Sequence, residues 1–507
     1  MHGASPQPNA WSQQSVPSVA IPPDRPGAPD PGSAKPPPGE LIDRAPTWLL
    51  IGAVIVVVAL VAGGAYVVVK GGREYPSAWD TRVEPIARWV SEERELGFEH
   101  PVEVNFLTEE AYRARATEGG DAVTEADDQY YEDQAAQLRA LGLLSGEVDL
   151  AAANDTLLDA GTLAYYDPDL EQVFVRGTEL TPAVRVTIAH ELVHVLQDQQ
   201  FDLERLEDFD DGRAEVLRSL AEGDAARIEQ AYVEDVLTDD ERQAYEDEST
   251  SGSDEAVEDL EANVPPILTT IFAAPYVLGP SLIALLDQRG GNEAINAALI
   301  DPPSEESLFD PRIEGTAAVD PIDVTVTPPA GAELIEQSEF GPTSWYLMLA
   351  SRIDPLVALA ATDGWGGDEY AVYRDGDDLC VAVAVETDDE ADSDQLAGAL
   401  DAWVAKTPDT ATVERDGNRI DLRTCDPGPE AENAGGEVTA DLLVLPVSRS
   451  QVYVASLQQG STSAQAVCFS QTVVDGFTLE QLADPDGTFI ASAEGQRQIA
   501  ELQSGCA

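Results

Sequence analysis

Apolar residues recur at helical spacing from Trp79 to Leu96, where Val83, Ile86, Ala87, Trp89 and Val90 mark one face. Pro101 to Leu107 alternates instead and reads as a strand, and Tyr130 to Leu144 returns to the helical period. Thr162 to Val175 holds two β-rich stretches around the turn sequence Asp167-Pro168-Asp169, which predicts a hairpin. Thr181-Pro182 then opens a helix, with the threonine as N-cap and the proline at the first helical position. Arg213 to Leu237 is a second strong helical stretch. Residues 238–263 are acidic and poor in core-forming side chains, so a solvated, mobile excursion is expected there. Ile267 to Leu299 is helical again, with a break at Gly290-Gly291. From Val319 onward the pattern is mixed. Strands at Cys380 to Val385 and Thr412 to Leu422 flank a helix from Asp394 to Lys406, and a last helix lies near the C-terminus.

The most apolar stretch precedes all of these. Trp48 to Val69 runs for 22 residues without a charge, enough at about 1.5 Å of rise per residue to cross a hydrocarbon core roughly 30 Å thick. A signal peptide would begin nearer the N-terminus and be shorter, whereas this stretch follows 47 residues rich in Pro, Gly, Ser and Asp. Those residues cannot bury enough apolar surface to offset their ordering entropy and are expected to be disordered. The expected fold class is therefore α+β with a single-span anchor. A disordered tail (1–47) leads to a transmembrane helix (48–69), a first folded unit (70–315) and a C-terminal α+β unit (316–507).

Lys35 and Arg44 lie before the span and Lys70 and Arg73 after it, so positive charge hardly orients it. Cysteine usage does. All four cysteines follow the span, which suits an oxidising compartment and makes the N-terminal tail cytoplasmic and the rest extracytoplasmic. Lacking any Cys-x-x-Cys pair, they read as two disulfides, and of three connectivities the sequential one, Cys380–Cys425 and Cys468–Cys506, is expected. The net charge of −67, with only three lysines, disfavours nucleic acid or anionic lipid as partners and suits a salty or otherwise screened habitat.

Chemistry is concentrated in Thr187-Ile188-Ala189-His190-Glu191-Leu192-Val193-His194. Residues i and i+4 of a helix share a face, so both imidazoles can hold one metal ion, and Glu191 can act as general base without being a ligand. Zinc is the expected ion, activating a water whose proton Glu191 takes as a carbonyl is attacked. Only four histidines occur in the chain, and two of them fall at this spacing around a glutamate. No histidine follows His194, so the third protein ligand must be a carboxylate. On a helical wheel Asp224 aligns with Leu217, Leu220 and Ile228 while Glu222 sits well round the helix, unless the helix bends or starts at Gly223. Glu215, Glu222 and Glu229 repeat every seven residues, a spacing that by itself reads as a solvated face.

With these residues in view, Ala221-Glu222-Gly223-Asp224-Ala225 resembles the Glu-Gly-x-Ala motif of gluzincin metallopeptidases of the aminopeptidase-like branch. That resemblance implies a zincin-like domain over the first unit and makes Glu222 the third zinc ligand, with Asp224 as the alternative. Pro275-Tyr276-Val277-Leu278-Gly279 is similar to a second segment of that branch, and the likeness implies that Tyr276 donates to the developing oxyanion. The resemblance spans roughly residues 160–300, and the His-Glu-Leu-x-His-x-Leu-Gln-Asp-Gln run also looks like that of bacterial membrane-anchored metallopeptidases. The Gly-x-Met-Glu-Asn segment that binds a free substrate N-terminus is missing. An endopeptidase acting on peptides or proteins aligned along the 162–175 hairpin is therefore expected. Cleavage of cell-wall peptide cross-links by the same chemistry is a lesser option. The alternative is a non-catalytic, zincin-derived cell-surface scaffold, against which the presence of Glu191 argues. Gly364-Trp365-Gly366-Gly367-Asp368 reads as a Gly-rich turn with a packed tryptophan.

Overall fold

Helix α1 (Glu84–Arg94) opens the folded part, with Ile86, Ala87 and Val90 buried as their spacing requires. The computed structural model describes residues 75–118, 125–159, 163–312, 321–407, 411–431, 438–484 and 487–506. The tail 1–47, the apolar stretch 48–69 and the expected unit boundary at 315/316 lie outside them. Strand β1 (Glu103–Leu107) is followed by helices α2 (Glu109–Glu118), α3 (Glu125–Ala140) and α4 (Leu150–Asp159). The expected hairpin forms as β2 (Ala164–Asp167) and β3 (Gln172–Arg176), paired antiparallel. Strand β1 adds parallel to β3, giving the order β1-β3-β2 and leaving β2 at an edge.

Helix α5 (Pro182–Phe201) begins as its cap predicts, with Thr181 accepting a hydrogen bond from Val184 N, and ends at Asp202 in a left-handed conformation. It is buried on every side, from Ala183 to Gln197 with few interruptions. Helix α6 (Asp211–Asp235) packs against it. Residues 238–263 are not an excursion: they form helix α7 (Asp239–Asn263). The reason is local and tertiary. Thr238 and Glu241 close a capping box, and Arg185 of α5 pairs with Glu241 at 2.6 Å.

Helix α8 (Pro266–Ile300) takes up the expected break at Gly291, whose φ is 62°. Among the described residues it is the one helix long and apolar enough to cross a membrane, yet 61% of its most apolar window is buried inside the protein. It meets α6 backbone to backbone. A Cβ on Gly223 would lie 2.7 Å from the carbonyl carbon of Gly279, and one on Gly279 would lie 2.0 Å from the Ser219 oxygen. Gly223 therefore neither bends nor starts α6, which runs straight through it; it lets two helices touch.

Beyond α9 (Glu305–Phe309), strand β4 (Glu333–Ser338) precedes helices α10 (Gly341–Ala350) and α11 (Pro355–Thr362). Strands β5 (Trp365–Asp375) and β6 (Asp378–Thr387), helix α12 (Glu390–Val404), and strands β7 (Ala411–Asp416) and β8 (Arg419–Cys425) follow. The five strands pair antiparallel in the order β4-β5-β6-β8-β7. The single strand expected over Thr412 to Leu422 is in fact a hairpin, because Gly417, at φ 65°, turns the chain within it. Cys380 and Cys425 face each other in register and are bridged, as are Cys468 and Cys506. The closing layer is helical: α13 (Val444–Gln458), α14 (Ser463–Gly476), two single-turn helices, and α15 (Ala493–Gly505). The largest core draws on both sides of residue 315, joining Leu217 and Leu282 to Trp345, Val383, Trp403 and Phe469. A second core surrounds α5 with Tyr166, Ile188, Leu192 and Ile228.

Candidate metal centre

Helix α5 brings His190 and His194 onto one face, their ring centroids 4.8 Å apart. Helix α6, crossing beside it, supplies Glu222. The Nε2 atoms of His190 and His194 stand 3.2 and 3.4 Å from the same carboxylate oxygen, Glu222 Oε2. One donor atom from each of the three residues lies within 4.8 Å of the others, and all three side chains are buried. An ion bound tetrahedrally at about 2.0–2.1 Å sets its ligand atoms roughly 3.3 Å apart, which the two imidazole-to-carboxylate distances match.

The far sides of the two rings explain why those atoms converge. His190 Nδ1 is 3.0 Å from Glu229 Oε2, and a carboxylate oxygen can only accept, so Nδ1 carries the proton. His194 Nδ1 is 2.9 Å from Gln197 Oε1. The Gln197 amide cannot be turned over, because its nitrogen faces two acceptors, the Ala221 carbonyl at 3.0 Å and Asp224 Oδ2 at 3.2 Å. His194 must therefore donate through Nδ1 as well. Both Nε2 atoms are thus directed at one carboxylate oxygen, and a carboxylate with two imidazole nitrogens this close in a dry interior needs positive charge beside it, whether protons on the rings or a metal ion in their place. The donor set, two imidazole nitrogens and one carboxylate oxygen, can hold a divalent metal ion.

Electrostatics agree with that need. Burial disfavours charge on His190, yet the Glu222 and Glu229 carboxylates overcome it and push the imidazole up to about 10. Burial likewise opposes the charge on Glu222, but the His194 and His190 imidazoles beside it hold its carboxyl well below the usual carboxylate range. Burial pushes Glu191 up to about 7, with His194 and His190 holding it back. Glu191 Oε2 accepts from Tyr166 N of the edge strand β2 at 2.8 Å, while its Oε1 is buried without a hydrogen-bond partner.

Tyr276 reaches the cluster from α8, one turn before the Gly279 contact, and its hydroxyl donates to Glu222 Oε1 at 2.7 Å. In this structure it holds the carboxylate expected to be a ligand. Asp224 stands apart from the imidazoles. It is fully buried, accepting from Arg94 Nε at 2.7 Å and from Arg227 Nη2 at 2.9 Å. The wheel favoured Asp224 because it presumes a single buried face, whereas α6 has no exposed face here: both carboxylates are buried, Glu222 toward α5 and Asp224 toward α1.

Glu229 corrects a further expectation. The seven-residue glutamate repeat is no solvated face, since Glu222 and Glu229 are both buried against the centre. Tyr245 of α7 donates to Glu229 Oε1 at 3.2 Å. Glu229, Gln197, Tyr245 and Arg94 were not foreseen from the sequence. The repeat itself, and a glutamine three residues after the second histidine, were the available signals.

The C-terminal sheet, not this centre, is what comparison with known families finds. A model described as a domain of unknown function (DUF8575) matches residues 332–440, which span β4 through β8 and include none of the clustered residues. No curated protein and no solved structure matches the chain.

Proposed function

We propose that this chain is a zinc-dependent endopeptidase, anchored by residues 48–69 with its catalytic part outside the membrane. The observation that carries the reading is Glu191: a carboxylate 1% exposed, beside a metal-ready triad, with one oxygen left without a partner. A buried unpaired oxygen is costly, and a purely structural metal site has no use for it. Zinc held by His190, His194 and Glu222 supplies a Lewis acid that polarises a carbonyl and acidifies water. Glu191 then works through Oε1, taking a proton from the attacking water and passing it to the leaving nitrogen. The Tyr166 N–H fixes Oε2 and so decides which oxygen is free. Glu229 and Gln197 orient the imidazoles, and Tyr276 serves the oxyanion by exchanging its bond to Glu222 for one to the substrate. The edge strand β2 offers an extended peptide a pairing partner beside Glu191. Two disulfides support the extracytoplasmic side.

Near-complete burial of the centre favours a second reading, a non-catalytic surface protein with a structural metal, since a polypeptide reaches Glu191 only after the cover over it moves. Metal content and proteolysis of the purified protein, with Glu191→Gln as control, separate the two. The peptidase reading expects about one zinc per chain in both forms and hydrolysis only in the parent. Hydrolysis that persists in Glu191→Gln, or a parent with zinc and no activity on any unfolded polypeptide, overturns it.

A further inference from the structure

The two imidazoles are backed differently. His190 leans on a carboxylate, Glu229, whereas His194 leans on a neutral amide whose other end is clamped. The clamp is a buried series: Gln197 Nε2 donates to Asp224 Oδ2, and Asp224 is gripped by Arg94 Nε on Oδ2 and Arg227 Nη2 on Oδ1. Arg94, with no exposed surface, is set in turn by Asn296 Oδ1 at 2.6 Å, and Arg227 by Asn292 Oδ1 at 2.7 Å. Glutamine would otherwise be a poor choice, since a free amide presents its oxygen or its nitrogen to a ring with little preference. Here the acceptors Asp224 and Ala221 remove that freedom.

Resting on the metal-centre reading above, we propose that Gln197 is a positioning residue that presets His194 as the Nδ1–H tautomer, and that Asp224 and Arg94 set Gln197. The amide delivers orientation without adding a second negative charge behind the metal. The Arg94 end makes α1, 130 residues away in sequence from Asp224, part of the site's construction.

Cobalt(II) replaces zinc as the probe, added to the full chain in detergent micelles. Competition with a chromophoric chelator reads affinity, and paramagnetic proton NMR reads the exchangeable imidazole N–H signals of metal-bound histidines. The parent should show two such signals. Gln197→Met, which keeps the length and apolar stem, should weaken cobalt binding about 10–100-fold and lose or broaden one signal while the other stays. Asp224→Asn should move both readouts in the same direction by less, and the double variant should match Gln197→Met alone, because the groups act in series. Should Gln197→Met fail to fold, Asp224→Asn alone carries the test through the same N–H signal. Two unchanged signals with affinity within twofold of the parent overturn the proposal, as do additive losses in the double variant. A parent that binds no cobalt at all overturns the metal centre itself, a failure distinct from this one.

Discussion

Glu191 and Asp368 are both carboxylates sealed inside the protein, one at the candidate metal centre and one on strand β5 of the five-stranded sheet, and their surroundings differ. Asp368 accepts from the indole Nε1 of Trp345 at 2.6 Å and of Trp365 at 2.8 Å, and from the backbone of Phe340 at 2.8 Å and of Gly341. Every lone pair has work, and the group ties α10 to the start of β5. Glu191 receives one backbone N–H and keeps its other oxygen free. Burial pushes both carboxyls up. Only one of them is left able to take a proton from something else. A buried acid that builds structure is saturated with donors; one held for chemistry is not.

The sharpest way to break this contrast is Glu191→Gln. Turnover on an unfolded polypeptide should fall by about two to four orders of magnitude, while metal content stays at the parent value. If Glu191 were only a structural acid like Asp368, the variant would instead lose stability and keep its rate. Next in size is the ligand pair on α6. Glu222→Ala should abolish tight zinc binding in a chelator titration, and Asp224→Ala should weaken it by about 10–100-fold through Gln197. An equal or larger loss in the Asp224 variant would mean that the carboxylate touching both imidazoles is not the ligand.

How much of this could be read from the chain alone depends on range. The His190–Glu191–His194 set was legible because one helical turn fixes it, and the β2–β3 hairpin because Asp167-Pro168-Asp169 fixes the turn. Helix α7 was misread from its acidity although Thr238 and Glu241 carry a capping box that a local reading contains. Preferring Glu222 to Asp224 needed a family likeness, since the wheel favoured Asp224 and burial on all sides of α6 leaves its apolar stripe a poor guide to which carboxylate meets α5. Arg94, 130 residues from Asp224, leaves no local trace at all. In the Gly364–Asp368 segment the packed tryptophan was read correctly but the Gly-rich turn was not, since Trp365 to Asp368 pair with β6 as the start of β5, and the second indole on Asp368 comes from helix α10.

The saturated acid offers its own test. Asp368→Ala leaves two indole and two backbone N–H groups buried without an acceptor, and at about 1–3 kcal/mol for each unmet group, partly relieved by relaxation, the protein should lose roughly 3 kcal/mol or more. Denaturant unfolding measures it. Zinc content per folded molecule should not change, because the matched region 332–440 that holds Asp368 contains none of the clustered residues. A loss under about 1 kcal/mol would remove the distinction between the two acids.

The smallest effect concerns Glu339, which lies against Gly212 in the first turn of α6 and feels the charge of Asp368. Burial first, then Asp368, Asp210 and Asp211, push its carboxyl up to about 8. In the unfolded chain a glutamate titrates near 4.3. The fold thus prefers the protonated acid, so the stability linked to Glu339 is fully present below about pH 4 and is lost as pH rises toward 8. Glu306, pushed up to about 8 by burial and by Asp388, Asp310 and Asp363, has the same sign and leaves a residual slope when Glu339 is removed. Glu339→Gln keeps the neutral shape at every pH. Its melting temperature should match the parent at pH 4 and exceed it by about 2 °C at pH 9. A gain of equal size at both pH values would show that packing, not ionisation, separates the two proteins. A loss at pH 9 would show that the ionised Glu339 is welcome where it sits, and that the acids around Asp368 do not repel it.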